Sequence, residues 1–444
     1  MSSEWQEFSI DEIKSPYASS IAIGPFGSRM KSDCYVKSGI SVVRGTNLTS
    51  GRELSGEFVF ITPEKAQELG GANLEANDLV FPHRGSIGEV GIVPDDGKSY
   101  VLSSSLMKLK CDPRKAFPLF IYYFFKSSIG RFELLKNSSQ VGTPGIGQPL
   151  TSLKSIKLAL PGVAEQERIA ALLGALDDRI ALLRETNATL EAIAQALFKS
   201  WFLDFDPVHA KARGEQPEGM PEHLAALFPD SFEESPLGLV PRGWRVLPLE
   251  EAYEINPTRK LKKGETAPYL DMASVATSGH TVAGVVEREM GSGTKFVNGD
   301  TLLARITPCL ENGKTAFVDF LSDDQTGWGS TEFVVLRPKS PLPPYHGYLL
   351  SRHPAFREHA IQSMSGTSGR QRVQNDVLGR YPVVVPCVAL ATAFGDLVGS
   401  TQQKIISNHQ QAQTLATLRD TLLPRLISGA LRLPEAEAAI AEQR

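Results

Sequence analysis

Residues 161–202 read PGVAEQERIAALLGALDDRIALLRETNATLEAIAQALFKSWF, and this stretch decides the fold. Its apolar residues recur in alternating steps of four and three, which is the heptad spacing of a coiled-coil seam. We predict one helix from Pro161 to about Phe202, roughly 55 Å long at 1.5 Å per residue. The seam polar residue, Asn187, would fix helix register at some cost in stability. The seam comprises Ile169, Leu173, Leu176, Ile180, Leu183, Asn187, Leu190, Ala194 and Leu197.

A second stretch, residues 386–429, repeats the pattern as PCVALATAFGDLVGSTQQKIISNHQQAQTLATLRDTLLPRLISG. When Pro161 is aligned with Pro386, the apolar seams coincide, although Asn187 then aligns with Ala412. A long apolar seam cannot stay exposed to water, so we expect the two helices to bury each other. The chain therefore contains an internal duplication. The seam positions of the second copy are Phe394, Val398, Ile405, Leu415 and Leu422.

The regions before the two helices are also copies of each other. In the first 160 residues, short apolar runs alternate with Gly, Asn, Asp and Pro, which predicts a β-rich domain. The aromatic segment FPLFIYYFFKSSIGRFELLKN (residues 117–137) is predicted to form a helix pair packed on the sheet. A Gly/Pro loop, a polar turn and a strand then lead into the long helix. Residues 244–386 follow the same plan after an opening tryptophan.

These patterns predict an α+β fold with internal pseudo-twofold duplication. Two β-rich domains would be separated by two long antiparallel coiled-coil helices and would lie at opposite ends of the helical rod. The connector is rich in proline, glycine and acid, and we expect it to be ordered only in part; the short charged tail should fray. The predicted segments are a first domain (1–160), a first spacer helix (161–203), a connector (204–243), a second domain (244–386), a second spacer helix (387–429) and a C-terminal tail (430–444).

Bulk composition excludes several classes of protein. The 444 residues are 41% hydrophobic and 22% charged, which is ordinary for a globular protein. No apolar run is long enough to span a bilayer, and the N-terminus lacks the apolar core of a secretory signal, so we expect a cytoplasmic protein without membrane contact. The net charge of −4 neither supports nor excludes a DNA partner. The four cysteines lie far apart, which predicts reduced thiols and no zinc or other metal site.

Catalytic motifs are missing. An adenine methyltransferase needs Asp or Asn before Pro-Pro-aromatic, whereas Leu342 precedes Pro343, Pro344 and Tyr345. No GxGxxG follows a predicted strand, and GSGTK (residues 291–295) lacks the spacing of a phosphate-binding loop. We therefore predict that the chain is not an enzyme and binds no cofactor.

Three motifs, taken in order along the duplicated chain, resemble the specificity (S) subunit of type I restriction–modification systems. The first is NDLVFPHRGSIGEVGIV (77–93), and the second is LPGVAEQERIAALLGALDDRI (160–180), with Pro161, Glu165, Gln166, Ile169 and Leu172. The third is WFLDFDPVHAKARG (201–214), followed by PEGMPEH, LFPDSFEES and LGLVPRGW. The resemblance covers nearly all of the chain. The second repeat departs from it, since Ala389, Leu390 and Ala391 stand where the first has Glu165, Gln166 and Glu167. Identical partner contacts at both ends are therefore not expected.

The resemblance implies a DNA-specificity subunit without chemistry of its own. Each of its two target recognition domains would read one half of a split, asymmetric double-stranded DNA site. Two methyltransferase (modification) subunits, with S-adenosylmethionine, would methylate adenine N6, and restriction/translocase subunits would bring ATP- and magnesium-dependent translocation and cleavage. The partner subunits would dock on the outward faces of the long helices. A rod of about 55 Å spans roughly one and a half turns of B-DNA, so helix length would set the gap between half-sites.

Direct readout needs hydrogen-bonding side chains on exposed loops. For each candidate, the alternative is a surface salt bridge or a solvated charge. The densest basic run, RKLKK at residues 259–263, suits phosphate contact or a solvated loop. Candidates in the first domain are Arg29, Lys31, Arg44, Asn47, His83, Arg84, Ser86 and Gln140. Candidates in the second are Arg259, Lys260, Lys262, Lys263, Arg305, Lys314, Arg370 and Arg372.

Other functions remain open from the residues alone. The duplication and heptads by themselves predict only a two-lobed binding or scaffold protein. An assembly scaffold with weak or lost DNA reading is the main alternative, and a self-sufficient restriction or modification enzyme is disfavoured by the missing motifs. The aromatic run from Phe117 to Phe125 could stack on bases, but its continuous apolar character favours core packing.

Overall fold

The fold consists of two compact units that share the two long helices. One unit comprises Met1–Ala181 with Ala412–Arg444, and the other comprises Leu182–Gln411. Each unit therefore contains one β-rich domain and one half of each long helix. The computed structural model describes residues 5–26, 29–48, 51–139, 144–367 and 370–441.

The first domain contains two four-stranded sheets, ordered β2-β9-β6-β7 and β4-β3-β8-β5. Only the β3–β8 pair is parallel among their described pairings. A separate antiparallel pair, β1–β12, joins the start of the domain to the strand that leads into the long helix. The strands are β1 (Gln6–Ser9), β2 (Ile21–Ile23), β3 (Ile40–Val43), β4 (Val59–Ile61), β5 (Asn73–Leu74), β6 (Leu79–Pro82), β7 (Gly91–Ile92), β8 (Tyr100–Leu102), β9 (Leu106–Leu109), β10 (Ser138–Ser139), β11 (Gly145–Ile146) and β12 (Lys157–Leu160). The helices are α1 (Ile10–Ile13), α2 (Pro63–Leu69), α3 (Pro118–Lys126), α4 (Ser128–Leu135) and α5 (Pro149–Ser155).

The aromatic segment forms the predicted helix pair, α3 and α4. Ser127 separates them: its extended backbone ends α3, and its side chain accepts a hydrogen bond from Gly130 N at 3.3 Å, which caps α4. The α3 aromatics are buried, and Phe125 packs edge-on against Phe81 at 4.8 Å between ring centroids. Core packing is thus confirmed for this run over base stacking.

The first long helix is α6 (Val163–Phe202), 40 residues without interruption. Its start is tied to the helix pair by Gln166, which is fully buried. The Gln166 amide donates to Lys115 O at 3.0 Å and to Pro161 O at 2.9 Å, and it accepts from Phe117 N. When Pro161 is aligned with Pro386, the second repeat has Ala391 at this position, fully buried beside the core residue Leu390. The departure from the motif therefore replaces a polar attachment with an apolar one.

The connector is ordered and packed, which corrects the expectation of partial order. It contains helices α7 (Asp206–Ala212) and α8 (Glu222–Ala225) and a hairpin of β13 (Phe232–Ser235) with β14 (Gly238–Pro241). Val208 and Phe228 are buried in the same core as Trp201 and Trp244. These apolar side chains, scattered among acidic and turn residues, anchor the segment.

The second domain repeats the first, with sheets ordered β16-β23-β20-β21 and β18-β17-β22-β19. The β17–β22 pair is parallel at the place of β3–β8, and β15 pairs with β26 as β1 pairs with β12. Its strands are β15 (Arg245–Pro248), β16 (Tyr253–Ile255), β17 (Thr266–Leu270), β18 (Val286–Glu289), β19 (Thr294–Phe296), β20 (Thr301–Ala304), β21 (Thr315–Phe317), β22 (Gly327–Gly329), β23 (Phe333–Pro338), β24 (Met364–Ser365), β25 (Arg372–Val373) and β26 (Pro382–Val385). Its helices are α9 (Leu249–Ala252), α10 (Pro344–Arg352), α11 (Pro354–Gln362) and α12 (Asn375–Leu378).

The second long helix, α13 (Val388–Ile427), also has 40 residues and packs antiparallel to α6. Near one end of the pair Phe202 meets Phe394 at 4.7 Å, and further along Asn187 meets Asn408. The predicted α+β fold, with two β-rich domains and two paired helices, is confirmed. The buried seam positions are Ile169, Leu173, Leu176, Ile180, Leu183, Phe394, Val398, Ile405 and Leu422, whereas Leu190, Leu197 and Leu415 are half-buried.

Asn187 has a polar partner that the repeat alignment does not indicate. Its side-chain amide donates to Ile405 O at 3.0 Å, and the Asn408 amide donates to its side-chain oxygen at 2.9 Å. Asn408 is 2% exposed. The repeat alignment matches Asn187 with Ala412, which lies about one helical turn beyond Asn408. We call Asn187 and Asn408 the asparagine pair.

The C-terminal segment forms a further helix, α14 (Leu433–Ala441), so the expectation of a frayed tail is wrong for residues 433–441. Leu431, Leu433 and Ala436 are buried in the core of the first unit. All four cysteines are free. Within the described residues, no cluster of His, Cys, Asp or Glu could hold a metal ion, and no helix is long and apolar enough to cross a membrane.

We expect the substitution Asn408→Ala to lower the free energy of unfolding of the second unit by about 1–3 kcal/mol, because it leaves the Asn187 oxygen without its donor. Urea denaturation followed by tryptophan fluorescence measures the change. Gln403→Ala, at an exposed position of α13, is the matched control. The double variant with Asn187→Ala should lose less than the sum of the single losses. Strict additivity would show that the asparagine pair is not coupled.

Candidate nucleic-acid interface

The loop between β6 and β7 presents Arg84 and Ser86 at the surface of the first domain. Its backbone is joined to the β10–β11 hairpin, since Gly85 N donates to Pro144 O and Ile146 N donates to His83 O, both at 3.0 Å. Among the described residues, Arg84 makes no side-chain hydrogen bond or ion pair. A guanidinium that is exposed on an anchored loop, with its donors free, suits bidentate recognition of a base edge or a phosphate.

A second loop of the first domain lies beside Ser86. A side chain added at Gly45 would place its Cβ 3.9 Å from Ser86 Oγ. Arg44 is half-buried, and its guanidinium donates to Glu57 O at 2.9 Å. Asn47 is fully buried: it accepts from Arg44 N at 2.9 Å and donates to Ser55 O and Glu57 O. In this conformation Asn47 supports the loop and does not face solvent.

His83 is also a supporting residue rather than a surface one. It is 1% exposed, and its Nε2 lies 3.0 Å from Ser104 O. Burial lowers the pKa of His83 below its ordinary value, so the ring is neutral near pH 7. Its backbone holds the hairpin beneath Arg84. The predictions of surface contact by Asn47 and His83 are therefore corrected by their burial.

Three further candidates complete the first domain. Arg29 is exposed, and its guanidinium donates to Glu68 O at 3.1 Å. Lys31 is exposed. Gln140 lies outside the described residues.

In the second domain, three of the predicted residues lie near one another around the base of the β20–β21 loop. Arg372 makes a bidentate ion pair with Glu332, with nitrogen–oxygen distances of 2.7–3.1 Å. This pairing lowers the pKa of Glu332 and raises that of Arg372. Arg305 donates to Val373 O at 3.2 Å, and Arg370 is exposed two residues before Arg372. Among the residues that the structure describes, Arg370 is therefore the member of this group whose side chain makes no ion pair or hydrogen bond.

The basic run at 259–263 divides into one internal residue and three surface residues. Arg259 donates to both oxygens of Asp300, which is fully buried and also accepts from Arg337 at 2.6 Å. Lys314 is likewise internal, since its ammonium donates to Met272 O at 2.6 Å. The exposed members of the run are Lys260, Lys262 and Lys263.

Two exposed residues beside these loops were not predicted. Phe26 is 50% exposed, and its ring centroid lies 6.1 Å from that of His83. Asn312 is exposed at the tip of the β20–β21 loop, just before Gly313 with φ of 81°. The sequence signal was the Glu-Asn-Gly turn, which resembles the glycine-bounded loops that drew attention to Arg84.

Comparisons with known proteins identify related chains. Residues 3–192 match the family model described as the type I restriction modification DNA specificity domain. This match covers the first domain and most of the first long helix. The HindI specificity subunit of Haemophilus influenzae is 24% identical, over 86% of this chain and 93% of that one. The MjaIX specificity subunit of Methanocaldococcus jannaschii is 26% identical, over 71% of this chain and 69% of that one.

A solved structure supports the fold of this chain. The type I S subunit from M. genitalium superposes with a TM-score of 0.54 and 18% identity, covering 96% of both chains. The predicted resemblance, fold class and role as a DNA-specificity subunit are confirmed. Specificity subunits as a family are non-catalytic.

Because Asn47 supports its loop from within, we expect Asn47→Ala to lower the free energy of unfolding by about 1–3 kcal/mol, since it leaves buried backbone groups without partners. Thermal unfolding of the chain measures the loss. Ser86→Ala, at the exposed neighbouring position, should change stability by less than about 0.5 kcal/mol. Equal stability of the two variants would contradict the supporting role.

Proposed function

We propose that this specificity subunit reads an asymmetric, bipartite double-stranded DNA site, with one recognition domain for each half. One observation carries the proposal: the two domains share sheet order and loop anchoring, yet corresponding loops carry different side chains. In the first domain the backbone of Arg84 forms a β-bridge with the hairpin residue Gly145. In the second domain the backbone of Ile306 forms the corresponding bridge with Arg372. Equal scaffolds with unlike donors and acceptors suit two unlike sequences.

In this proposal, different residues read the bases and contact the phosphates. Arg84, Ser86 and Arg370 lie on loops anchored at both ends, which suits contacts that must keep a fixed geometry. Lys260, Lys262 and Lys263 are exposed in succession on a loop of the second domain, which suits sequence-independent attraction to phosphates.

Chemistry would come from partner subunits. Two methyltransferase subunits would supply S-adenosylmethionine-dependent adenine methylation, and restriction/translocase subunits would supply ATP- and magnesium-dependent translocation and cleavage. The outward faces of the long helices suit their docking: Leu182 and Ile193, eleven residues apart on one face of α6, are 52% and 49% exposed, and Leu397 of α13 is 40% exposed. Exposed apolar side chains on a helix are what a protein partner would cover.

An assembly scaffold with weak DNA reading is the second candidate. It is favoured by the internal pairing of Arg259, Lys314 and Arg372, which removes three of the predicted cations from the free surface of the second domain. Salt dependence separates the two functions, because a DNA reader loses affinity for random duplexes steeply as salt rises and a scaffold does not.

We expect Arg84→Ala to weaken discrimination at one half-site by about tenfold, the effect of removing one bidentate hydrogen-bonded pair with a base. The cognate site is first identified by mapping methylated adenines in the host genome. Affinity of the assembled complex is then measured for duplexes altered in either half. Arg114→Ala, which removes an exposed arginine that pairs locally with Asp112, is the matched control. Equal losses at both half-sites would contradict the two-reader function.

The exposed residues Lys260, Lys262 and Lys263 should have a separate effect, on the salt dependence of DNA binding. Replacing Lys262 and Lys263 by glutamine should reduce the slope of log affinity against log salt by about 0.9 for each phosphate that is no longer neutralised, for every DNA sequence tested. Filter binding of random and cognate duplexes across a salt series measures the slope. Lys199 and Lys404, which are exposed on the long helices, provide a charge-matched double variant that should retain it. An unchanged slope in the loop variant would remove the phosphate role.

A further inference from the structure

The β6–β7 loop of the first domain is held from beneath by a basic residue of the helix pair. Arg131, the fourth residue of α4, donates through Nη1 to Gly88 O at 3.2 Å and to the Glu89 carboxylate at 3.0 Å. Lys126, the last residue of α3, lies 3.7 Å from the same carboxylate. These interactions attach the loop four residues after Arg84.

The second domain has basic residues at the same two places. Arg357, the fourth residue of α11, donates to Glu311 O at 2.9 Å and to Leu310 O at 3.4 Å. Arg352, the last residue of α10, donates to Gly313 O at 2.7 Å and to Thr277 O at 2.9 Å. Both arginines therefore contact carbonyls of the β20–β21 loop, which corresponds to the β6–β7 loop.

A glycine with positive φ lies against the arginine in each domain. Gly88 has φ of 93°, and an added Cβ would lie 3.4 Å from Arg131 Cζ. Gly313 has φ of 81°, and an added Cβ would lie 3.2 Å from Arg357 Cζ. Each loop thus turns closely over a guanidinium at a position where a side chain would be both strained and crowded. The two loops otherwise differ in sequence, yet both keep this attachment.

We propose that Arg131 and Arg357 are positioning residues for DNA readout, each holding the backbone of its loop so that the side chains at the tip meet base edges in a fixed geometry. This inference rests on the proposed function. A guanidinium presents its donors in a rigid planar arrangement, so it can fix a carbonyl and a second acceptor at once. Base-edge hydrogen bonds tolerate only a few tenths of an ångström, and a loop ordered before binding avoids the entropy cost of ordering on DNA.

The two attachments differ in strength in a way that can be measured. In the second domain, Arg352 joins the loop to Thr277 as well, and Arg357 holds two carbonyls. In the first, Arg131 holds one carbonyl and the half-buried Glu89 carboxylate, and Lys126 holds no loop carbonyl but lies 3.7 Å from that carboxylate. The β6–β7 loop should therefore be the more sensitive of the two to loss of its arginine.

The test uses the assembled complex and Arg131→Ala. We expect discrimination at the first half-site to fall about tenfold, while discrimination at the second half-site, affinity for random duplexes and the salt slope remain unchanged. Arg357→Ala should lower discrimination at the second half-site by a smaller factor and leave discrimination at the first half-site unchanged. Hydrogen exchange should show faster exchange of the loop amides around Gly88, while the sheet amides keep their rates.

Two further variants separate the alternatives. Arg131→Lys keeps the charge but not the planar donor group, so it should recover only part of the discrimination that Arg131→Ala loses. If Arg131→Lys recovers all of it, and Arg131→Ala also has a reduced salt slope, Arg131 contacts a phosphate and the proposal is overturned. Gly88→Ala displaces the loop while leaving Arg131 in place and should copy the loss at the first half-site. Gly88→Ala replaces Arg131→Ala in the test if Arg131→Ala does not fold. Thermal unfolding shows whether each variant is folded.

The outcomes distinguish this inference from the function it rests on. Unchanged half-site discrimination in Arg131→Ala and Gly88→Ala, with the expected loss in Arg84→Ala, would overturn the positioning role and leave the reading role intact. No loss in any of the three would overturn the reading role of this loop, and the positioning role with it.

Discussion

The structure depends on burial of one apolar seam in each 40-residue helix. Neither helix could stay isolated in water with that seam exposed, and each provides the surface that the other lacks. Because the pair is antiparallel, each compact unit receives the first half of one helix and the second half of the other. The helices thereby become part of the core of both units. The asparagine pair adds a directional contact to the otherwise non-directional seam, which restricts the register at which the helices can pack.

Duplication supplies two copies of one scaffold, and divergence gives them different surfaces. Strand order, the parallel pair within each second sheet and the basic residues beneath the β6–β7 and β20–β21 loops are kept in both domains. The side chains on the loops are not. The loops are anchored by backbone hydrogen bonds and by arginine from a neighbouring helix. Such a scaffold tolerates changes at the loop tips, because the contacts that stabilise it do not involve the tips. This separation lets one scaffold carry two unlike surfaces.

The candidate interface shows why a basic side chain in a loop is a weak indicator of DNA contact. Arg259 neutralises Asp300, which is fully buried and would be costly to leave unpaired. Arg44 and Lys314 satisfy carbonyls that have no strand partner, and Arg372 pairs with Glu332. Each is recruited by an acceptor far away in sequence. Arg84 and Lys262 are exposed and have no such partner within the described part of the chain, and these two properties separate surface cations from internal ones.

The sequence by itself determined the duplication, the two long helices, the β-rich domains and the helix pair after each, because these follow from periodicity and turn residues that act locally. It also identified the family, through motifs that lie in order along the chain. Only the tertiary structure decided that Asn187 meets Asn408, that Asn47 and His83 are buried, and that the connector and the last helix join the cores. Those outcomes depend on which distant groups the fold brings within hydrogen-bond or van der Waals distance, and no local pattern encodes that distance.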